Sequence, residues 1–229
     1  MNEILAAVLG TVILTICSLV VGLYLSGFDR KIVAHMQGRV GPRLHQPFID
    51  IAKLFHKQNI VPKNAVPILF NMMPVIALAA SIAVLLYLPF GSIAPVLGGA
   101  GDMILVLYLL LIPSLCLVIG GFASGSPYAT VGAQREMVSM ISYELPLAAV
   151  VILIAWRLMV SGVEDPFALT TLMNFDIWSV CGPCGIIAIV LLLIMFAWIT
   201  PGELSKVPFD SPEAETELTG GILAEYSGR

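Results

Sequence analysis

Five apolar runs, each about as long as a membrane is thick, leave this chain few folds to choose from. They fall at 4–25, 68–89, 103–122, 137–159 and 177–199. A hydrocarbon core of about 30 Å is crossed by about 20 helical residues. Backbone N–H and C=O groups must be paired inside lipid, and an α-helix pairs its own. The runs therefore predict an all-α polytopic membrane protein: one membrane domain over 1–229, with about five transmembrane helices. Composition agrees, since 59% of the 229 residues are hydrophobic and 11% charged, against about 25% charged in soluble domains. A net charge of −4 argues against nucleic acid as a partner and leaves the lipid bilayer. Met1-Asn2-Glu3 lacks a positive leader and the first run is long enough to span, so no cleavable signal is expected.

The loops set the expected orientation. Seven of the eleven Lys and Arg residues gather between the first and second runs: Arg30, Lys31, Arg39, Arg43, Lys53, Lys57 and Lys63. Basic residues in short loops resist translocation, which puts 30–63 on the cytoplasmic side. Gly91–Asp102 has no Lys or Arg and Ser161–Asp176 has only acidic charges, so both are expected outside. Ala123–Glu136 carries Arg135 and is expected inside as a loop. The N-terminus is then outside and the tail, 200–229, cytoplasmic. Arg157 runs against the pattern, and it can snorkel or pair with Glu164 or Asp165.

Within the basic loop, Gly38-Arg-Val-Gly-Pro-Arg43 holds two Gly and one Pro and predicts a shaped turn. From Pro47 a short amphipathic helix is expected, with Phe48, Ile51, Ala52 and Phe55 on one stripe. It is too short to span and suits the interface plane or a partner surface.

Three features carry possible chemistry. Glu144 lies within the fourth run and is followed by Pro146. A carboxylate in lipid costs about 2.5 kcal/mol or more, so Glu144 faces a wet cavity or a partner, or else reaches the headgroups. Burial would let it hold and release a proton near neutral pH. The tail places Glu203, Asp210, Glu213, Glu215, Glu217 and Glu225 on the side where basic residues are expected. Ser211-Pro212-Glu213 predicts a helix start, with Glu213 and Glu217 on one face. Phe209, Leu218, Ile222, Leu223 and Tyr226 are mixed among the acids, which suits a folded lining segment better than a solvated tail. Cys181-Gly-Pro-Cys184 after Trp178 has the spacing of a thioredoxin site, but it opens a membrane helix rather than following a strand. Cys17 and Cys116 lie in apolar runs, so the pair is expected to be structural. No pattern for zinc or an iron–sulfur cluster is present, and no phosphate loop.

Four segments together resemble one family. They are Asp29-Arg30-Lys31; Arg39-Val-Gly-Pro with Gln46-Pro-Phe-Ile-Asp50 and Lys53-Leu54; Ser142-Tyr-Glu-Leu145; and Pro208-Phe-Asp-Ser-Pro-Glu213 through Glu225-Tyr-Ser-Gly228. In this order and spacing they resemble the H-type membrane subunit of respiratory complex I and of the energy-converting NiFe-hydrogenases. The resemblance implies a bundle of tilted helices that docks a hydrophilic redox arm. The docking residues it implies are Arg30, Arg39, Gly41, Pro42, Arg43, Gln46, Pro47, Asp50 and Lys53. The expected partners are the nickel-iron large subunit and the small subunit with its iron–sulfur cluster, a further iron–sulfur subunit, and antiporter-like membrane subunits. Glu144, Asp210, Glu213, Glu215, Glu217 and Glu225 correspond to a buried charged path. The chain is expected to hold no redox centre, the NiFe centre and clusters lying in its partners, and to sit in the plasma membrane of a bacterium or archaeon.

Two departures refine the expectation. The loop Gly41-Pro-Arg-Leu-His-Gln46-Pro is compact, as in the hydrogenase branch, where quinone-reducing members carry a second Val-Gly-Pro unit. Family members usually carry further membrane helices after Glu-Tyr-Ser-Gly, so either a second polypeptide supplies them or the chain is truncated. The expected function is anchoring and ion coupling in a membrane-bound hydrogenase that oxidises ferredoxin, evolves H2 and moves H⁺ or Na⁺. The alternative is the H-type subunit of a quinone oxidoreductase.

Overall fold

The computed structural model describes all residues except 1, 89–94, 98–101, 177–181, 207–208 and 229, with backbone alone for 2–7 and 215–216. Its elements are helices, with one isolated antiparallel bridge between Asp102 and Ala168 among the described residues. The helices are α1 (Asn2–Met36), α2 (Gln46–His56), α3 (Pro67–Tyr87), α4 (Met103–Ala123), α5 (Pro127–Val160), α6 (Leu169–Asn174), α7 (Pro183–Glu203) and α8 (Glu215–Leu218), followed by a 3-10 turn at Gly221–Leu223. Five of them are long and apolar enough to cross a membrane. The all-α polytopic expectation holds.

The chain folds as two compact units, Met1–Val61 with Tyr226–Arg229, and Pro62–Glu225. In the first unit α2 lies against α1. Gly27 leaves no room for a Cβ because the Leu44 carbonyl comes against it, and a Cβ on Gly41 would meet Lys31 Cα at 3.0 Å and Ala34 Cβ at 3.1 Å. Tyr24 and Phe48 meet edge to face, ring centroids 5.1 Å apart. The compact loop is thus pressed onto α1, and α2 starts at Gln46 with Pro47 in its first turn, as expected.

In the second unit α3, α4 and α5 form the packed centre. The Val66 N–H donates to the Ala123 carbonyl (2.8 Å), which ties the start of α3 to the end of α4. At the opposite end of α4 the Met103 N–H donates to the Phe167 carbonyl (2.8 Å). The α4–α5 contact is close at small residues: a Cβ on Gly121 of α4 would meet Ala133 Cβ at 3.1 Å and the Ala129 carbonyl at 3.2 Å on α5, all three residues being buried. In lipid, helices gain little from burying apolar area and associate through such close approach. Large apolar side chains instead face outward, Ile68 at 76% and Trp198 at 74% exposure among them.

Three expected boundaries are corrected. The first run extends beyond 25, and α1 carries Asp29, Arg30 and Lys31 as helix to Met36 rather than as loop. The inner loop expected over 123–136 is only three residues, 124–126, because α5 begins at Pro127, a residue suited to a first helical turn. Both extensions are polar helix outside the apolar run, which hydropathy does not register. The helix expected from Ser211 is instead a turn: the Glu213 N–H donates to the Asp210 carbonyl (3.1 Å), and α8 begins at Glu215. The expected start of the fifth run at 177 lies outside the described residues, as does Cys181; Cys184 is exposed near the start of α7.

Candidate functional site

The segment after α7 is folded, not a loose acidic tail. Pro212 is fully buried, Ile222 is 1% exposed and Leu218 8%. Ile222 joins Val118 and Ala133 in a core cluster with Leu117 packed on it. Three glycines allow this. A Cβ on Gly132 would meet Ile222 N at 2.7 Å and Pro212 O at 2.8 Å. On Gly121 it would meet Ala133 Cβ at 3.1 Å and Ile222 Cγ2 at 3.3 Å. Gly221, at φ +52, has the Pro212 carbonyl where a Cβ would go. The loop backbone therefore lies directly on the backbone of α5. Arg135 clamps it from the side, its Nη1 donating to Glu217 Oε2 at 2.7 Å and to the Ser211 carbonyl at 3.2 Å.

This packing covers Glu136. The residue is 3% exposed, and no cation pairs with it among the described residues. Glu213, half-buried on the covering turn, is close enough for its charge to act on Glu136. Burial pushes the Glu213 carboxyl above its ordinary range, the neighbouring Asp210 charge adds to this, and Lys206 opposes it. Further along α5, Tyr143 is half-buried, and its hydroxyl donates to Ser114 Oγ at 3.3 Å. Its ring lies beside Gly202, and the charges of Glu136, Glu203 and Glu144 all reach its phenol. Asp210 and Glu213 on the covering turn, Glu136, Tyr143 and Glu144 on α5, and Glu203 at the end of α7 thus form one set in which each group lies within electrostatic range of at least one other.

The structure sorts the carboxylates identified from sequence. Glu144 is half-buried, at the far end of this set. Asp210 and Glu213 belong to it, whereas Glu217 turns away to Arg135. Glu225 is half-buried at the end of the second unit. The side chain of Glu215 lies outside the described residues. Glu136, the most deeply buried acid, does not stand out in the sequence, because it follows Arg135 in a stretch that looks like polar loop. The signal available is helical spacing: Ala129, Gly132, Ala133, Glu136 and Met140 fall on one stripe of α5, and all five are buried.

The residues expected to dock the soluble arm divide in two. Arg30 Nη1 donates to Asp50 Oδ2 (2.8 Å), Gln46 Nε2 donates to Asp50 Oδ1 (3.1 Å), and Lys53 lies 4.0 Å from the same oxygen. The Arg30–Asp50 pair braces α2 on α1, and Gln46 and Lys53 meet the same carboxylate from within α2. The Arg30 hydrogen bond, followed by that of Gln46, holds the Asp50 carboxyl below its ordinary range. Pro47 is buried and Gly41 and Pro42 are half-buried in the turn, while Arg39 and Arg43 are exposed. Arg39 Nε donates to Gln37 Oε1 at 2.9 Å.

Residues 9–229 match the family model described as NADH dehydrogenase. The H-type subunit of the NADH-quinone oxidoreductase of Brevibacillus brevis is 35% identical over 218 residues, covering 88% of this chain and 59% of that protein. Hydrogenase-4 component C of Escherichia coli K12 is 33% identical over 204 residues, covering 89% and 61%. This chain therefore spans about three fifths of the length of these curated relatives. Among solved structures, the membrane-bound sulfane sulfur reductase, an archaeal respiratory membrane complex, contains a chain that superposes with a TM-score of 0.79 at 29% identity, covering 100% of this chain and 71% of that one. The chain belongs to the NADH dehydrogenase family, whose members include the H-type subunits of NADH-quinone oxidoreductases and hydrogenase-4 component C.

Proposed function

We propose that this chain is the membrane-anchoring and ion-coupling subunit of an energy-converting NiFe-hydrogenase, in which ferredoxin oxidation and H2 evolution in a docked soluble arm drive H⁺ or Na⁺ across the membrane. The observation that carries the coupling role is Glu136: a carboxylate sealed under the loop after α7, with Glu213 in range and no paired cation among the described residues. A buried acid without a counter-charge binds a proton or cation more readily than a solvated one. Glu136, Tyr143 and Glu144 on α5, with Asp210 and Glu213 on the turn above and Glu203 on α7, then supply acceptors and a donor for passing a proton. Redox chemistry belongs to the partners: the nickel-iron large and small subunits and an iron–sulfur subunit, with antiporter-like subunits taking up the charge. Exposed Arg39 and Arg43 offer fixed cations to an acidic arm surface, on a turn that Gly41 holds against α1. By charge bias this loop and the acidic segment face the cytoplasm.

The deciding measurement is the ion gradient formed per H2 evolved in vesicles. Glu136→Gln and Glu144→Gln keep shape and one carbonyl acceptor but cannot titrate. Each is expected to assemble and to lose ion translocation; an unchanged ratio at unchanged rate in both would overturn the coupling role. Arg39→Ala with Arg43→Ala is expected to release the soluble subunits. Cysteine at His45 or Gln134 should label only after permeabilisation, and at Val163 in intact cells.

A quinone-linked function is the second reading. It is favoured by several relatives, the H-type subunits of NADH-quinone oxidoreductases, at 33% to 36% identity. The compact loop Gly41–Gln46 favours the hydrogenase. Quinone-dependent turnover blocked by a quinone-site inhibitor would decide for the second.

A further inference from the structure

A groove of about 1120 Å³ opens in the second unit between α4, α5 and α7. Its walls are apolar, with Val106, Leu110, Leu147, Val150, Ala188 and Ile189 among the lining residues. One charged residue lines it among those described, Arg157. Its lining begins at Leu147, less than one turn beyond Glu144, and continues toward the ends of the helices where Met103 begins α4 and Val160 ends α5.

We propose that this groove is a phospholipid site, with two acyl chains along the apolar walls and the phosphate held at Arg157. Depth argues for lipid over a protein helix. The lined part of α5, Leu147 to Val160, is about 20 Å long, and that of α7, Gly185 to Phe196, about 16 Å, at about 1.5 Å per residue. One leaflet of hydrocarbon is about 15 Å deep, half of a core of about 30 Å. A crossing helix would be matched by a groove through both leaflets; this one matches a single leaflet. Charge argues the same way. An arginine at the mouth of an apolar slot complements a phosphate, and its five N–H donors allow a bidentate grip beside the interaction Arg157 already makes within the chain. Trp156, 64% exposed and also lining the groove, belongs to the residue type that collects at the membrane–water interface. Gly185 and Ala188 put little or no side chain on the α7 wall of the groove.

The test uses the intact complex in nanodiscs containing phosphatidylglycerol with a photoactivatable acyl chain. After irradiation and mass spectrometry, adducts are expected at groove residues such as Leu110 and Ala188, well above those at outward-facing Ile68 and Val75 of α3. Arg157→Gln should cut groove adducts about tenfold, since a hydrogen bond to a charged group is lost, and Arg157→Lys should keep most of them. Ala188→Trp, which fills the slot, should abolish them with the α3 background unchanged. Adducts no more frequent in the groove than on α3 would overturn the proposal. So would a yield indifferent to Arg157→Gln in the assembled complex, or cross-linking of the groove to a protein helix instead of lipid.

Discussion

Asp50 in the first unit and Glu213 in the second are both half-buried carboxylates with charged neighbours, yet their surroundings act on them in opposite directions. Asp50 has Arg30 at 2.8 Å and Gln46 at 3.1 Å, and these donors hold its carboxyl below the ordinary range. Glu213 is pushed above that range by burial and by Asp210, and next to it lies Glu136, an acid 3% exposed and without a paired cation among the described residues. The first arrangement is satisfied as it stands and serves to hold α2 on α1. The second is unfavourable when fully ionised, and a fold does not gain stability from it. Acids gathered under a packed lid, with the Asp210 charge acting on Glu213 and the Glu213 charge on Glu136, have chemistry as their better explanation.

The contrast between the two carboxylates breaks most readily at the lid. Gly221→Ala should cause the largest loss, because a Cβ collides with the Pro212 carbonyl and the residue sits at φ +52. Overpacking plus backbone strain is expected to cost about 2–4 kcal/mol, read as a lower unfolding midpoint and new solvent access to Glu136. Gly132→Ala, whose Cβ would meet Ile222 N and Pro212 O, should lose about 1–3 kcal/mol by the same route. A midpoint unmoved in both would mean that the loop does not pack on α5.

Next in size is the pH response of Glu213. Its folded-state proton affinity is raised, so the folded state holds a proton that the unfolded state releases. Stability then falls as pH rises from the ordinary carboxylate range through the raised value. Glu213→Gln removes that dependence, and its stability relative to the parent should grow as pH rises through that window. A constant difference would show Glu213 to be an ordinary surface acid. Asp50 has the opposite sign: what it contributes is present above the ordinary range and is lost as pH falls through its depressed value.

The smallest effect belongs to the exposed ion pairs. Arg135→Gln and Glu217→Gln, singly and together, should give a coupling of about 1 kcal/mol or less, because Glu217 is 62% exposed and Arg135 37%, so water screens the pair. A coupling several times larger would promote the clamp from trimming the loop to holding it.

The apolar runs are legible in the sequence because membrane helices advertise themselves by length, and α3 and α4 fall within two residues of their expected ends. The start of α2 is legible from Pro47. The polar extensions of α1 and α5 are not, since Asp29, Arg30, Arg135 and Glu136 belong to helix that leaves the apolar window. That blind spot hides Glu136 and draws attention to Glu144, the acid inside the window. The turn at Asp210–Glu213 reads as a helix start because Ser-Pro-Glu fits a cap locally. What decides it is tertiary: Pro212 must lie flat on Gly132 and Gly221.

Helix α5 is 34 residues long and carries the deepest acid near one end and Arg157 near the other, about 31 Å apart at 1.5 Å per residue. Pro146 lies between them, and it cannot donate to the Ser142 carbonyl, so the helix has one weakened joint within its length. A rod with a joint behaves as a lever. A bend of about 5° there would swing the distal half sideways by about 1–2 Å over its 14 residues, at 1.5 Å each. The mechanical arm of this protein and its electrostatic arm are then the same piece of chain, and whatever loads one end is felt at the other.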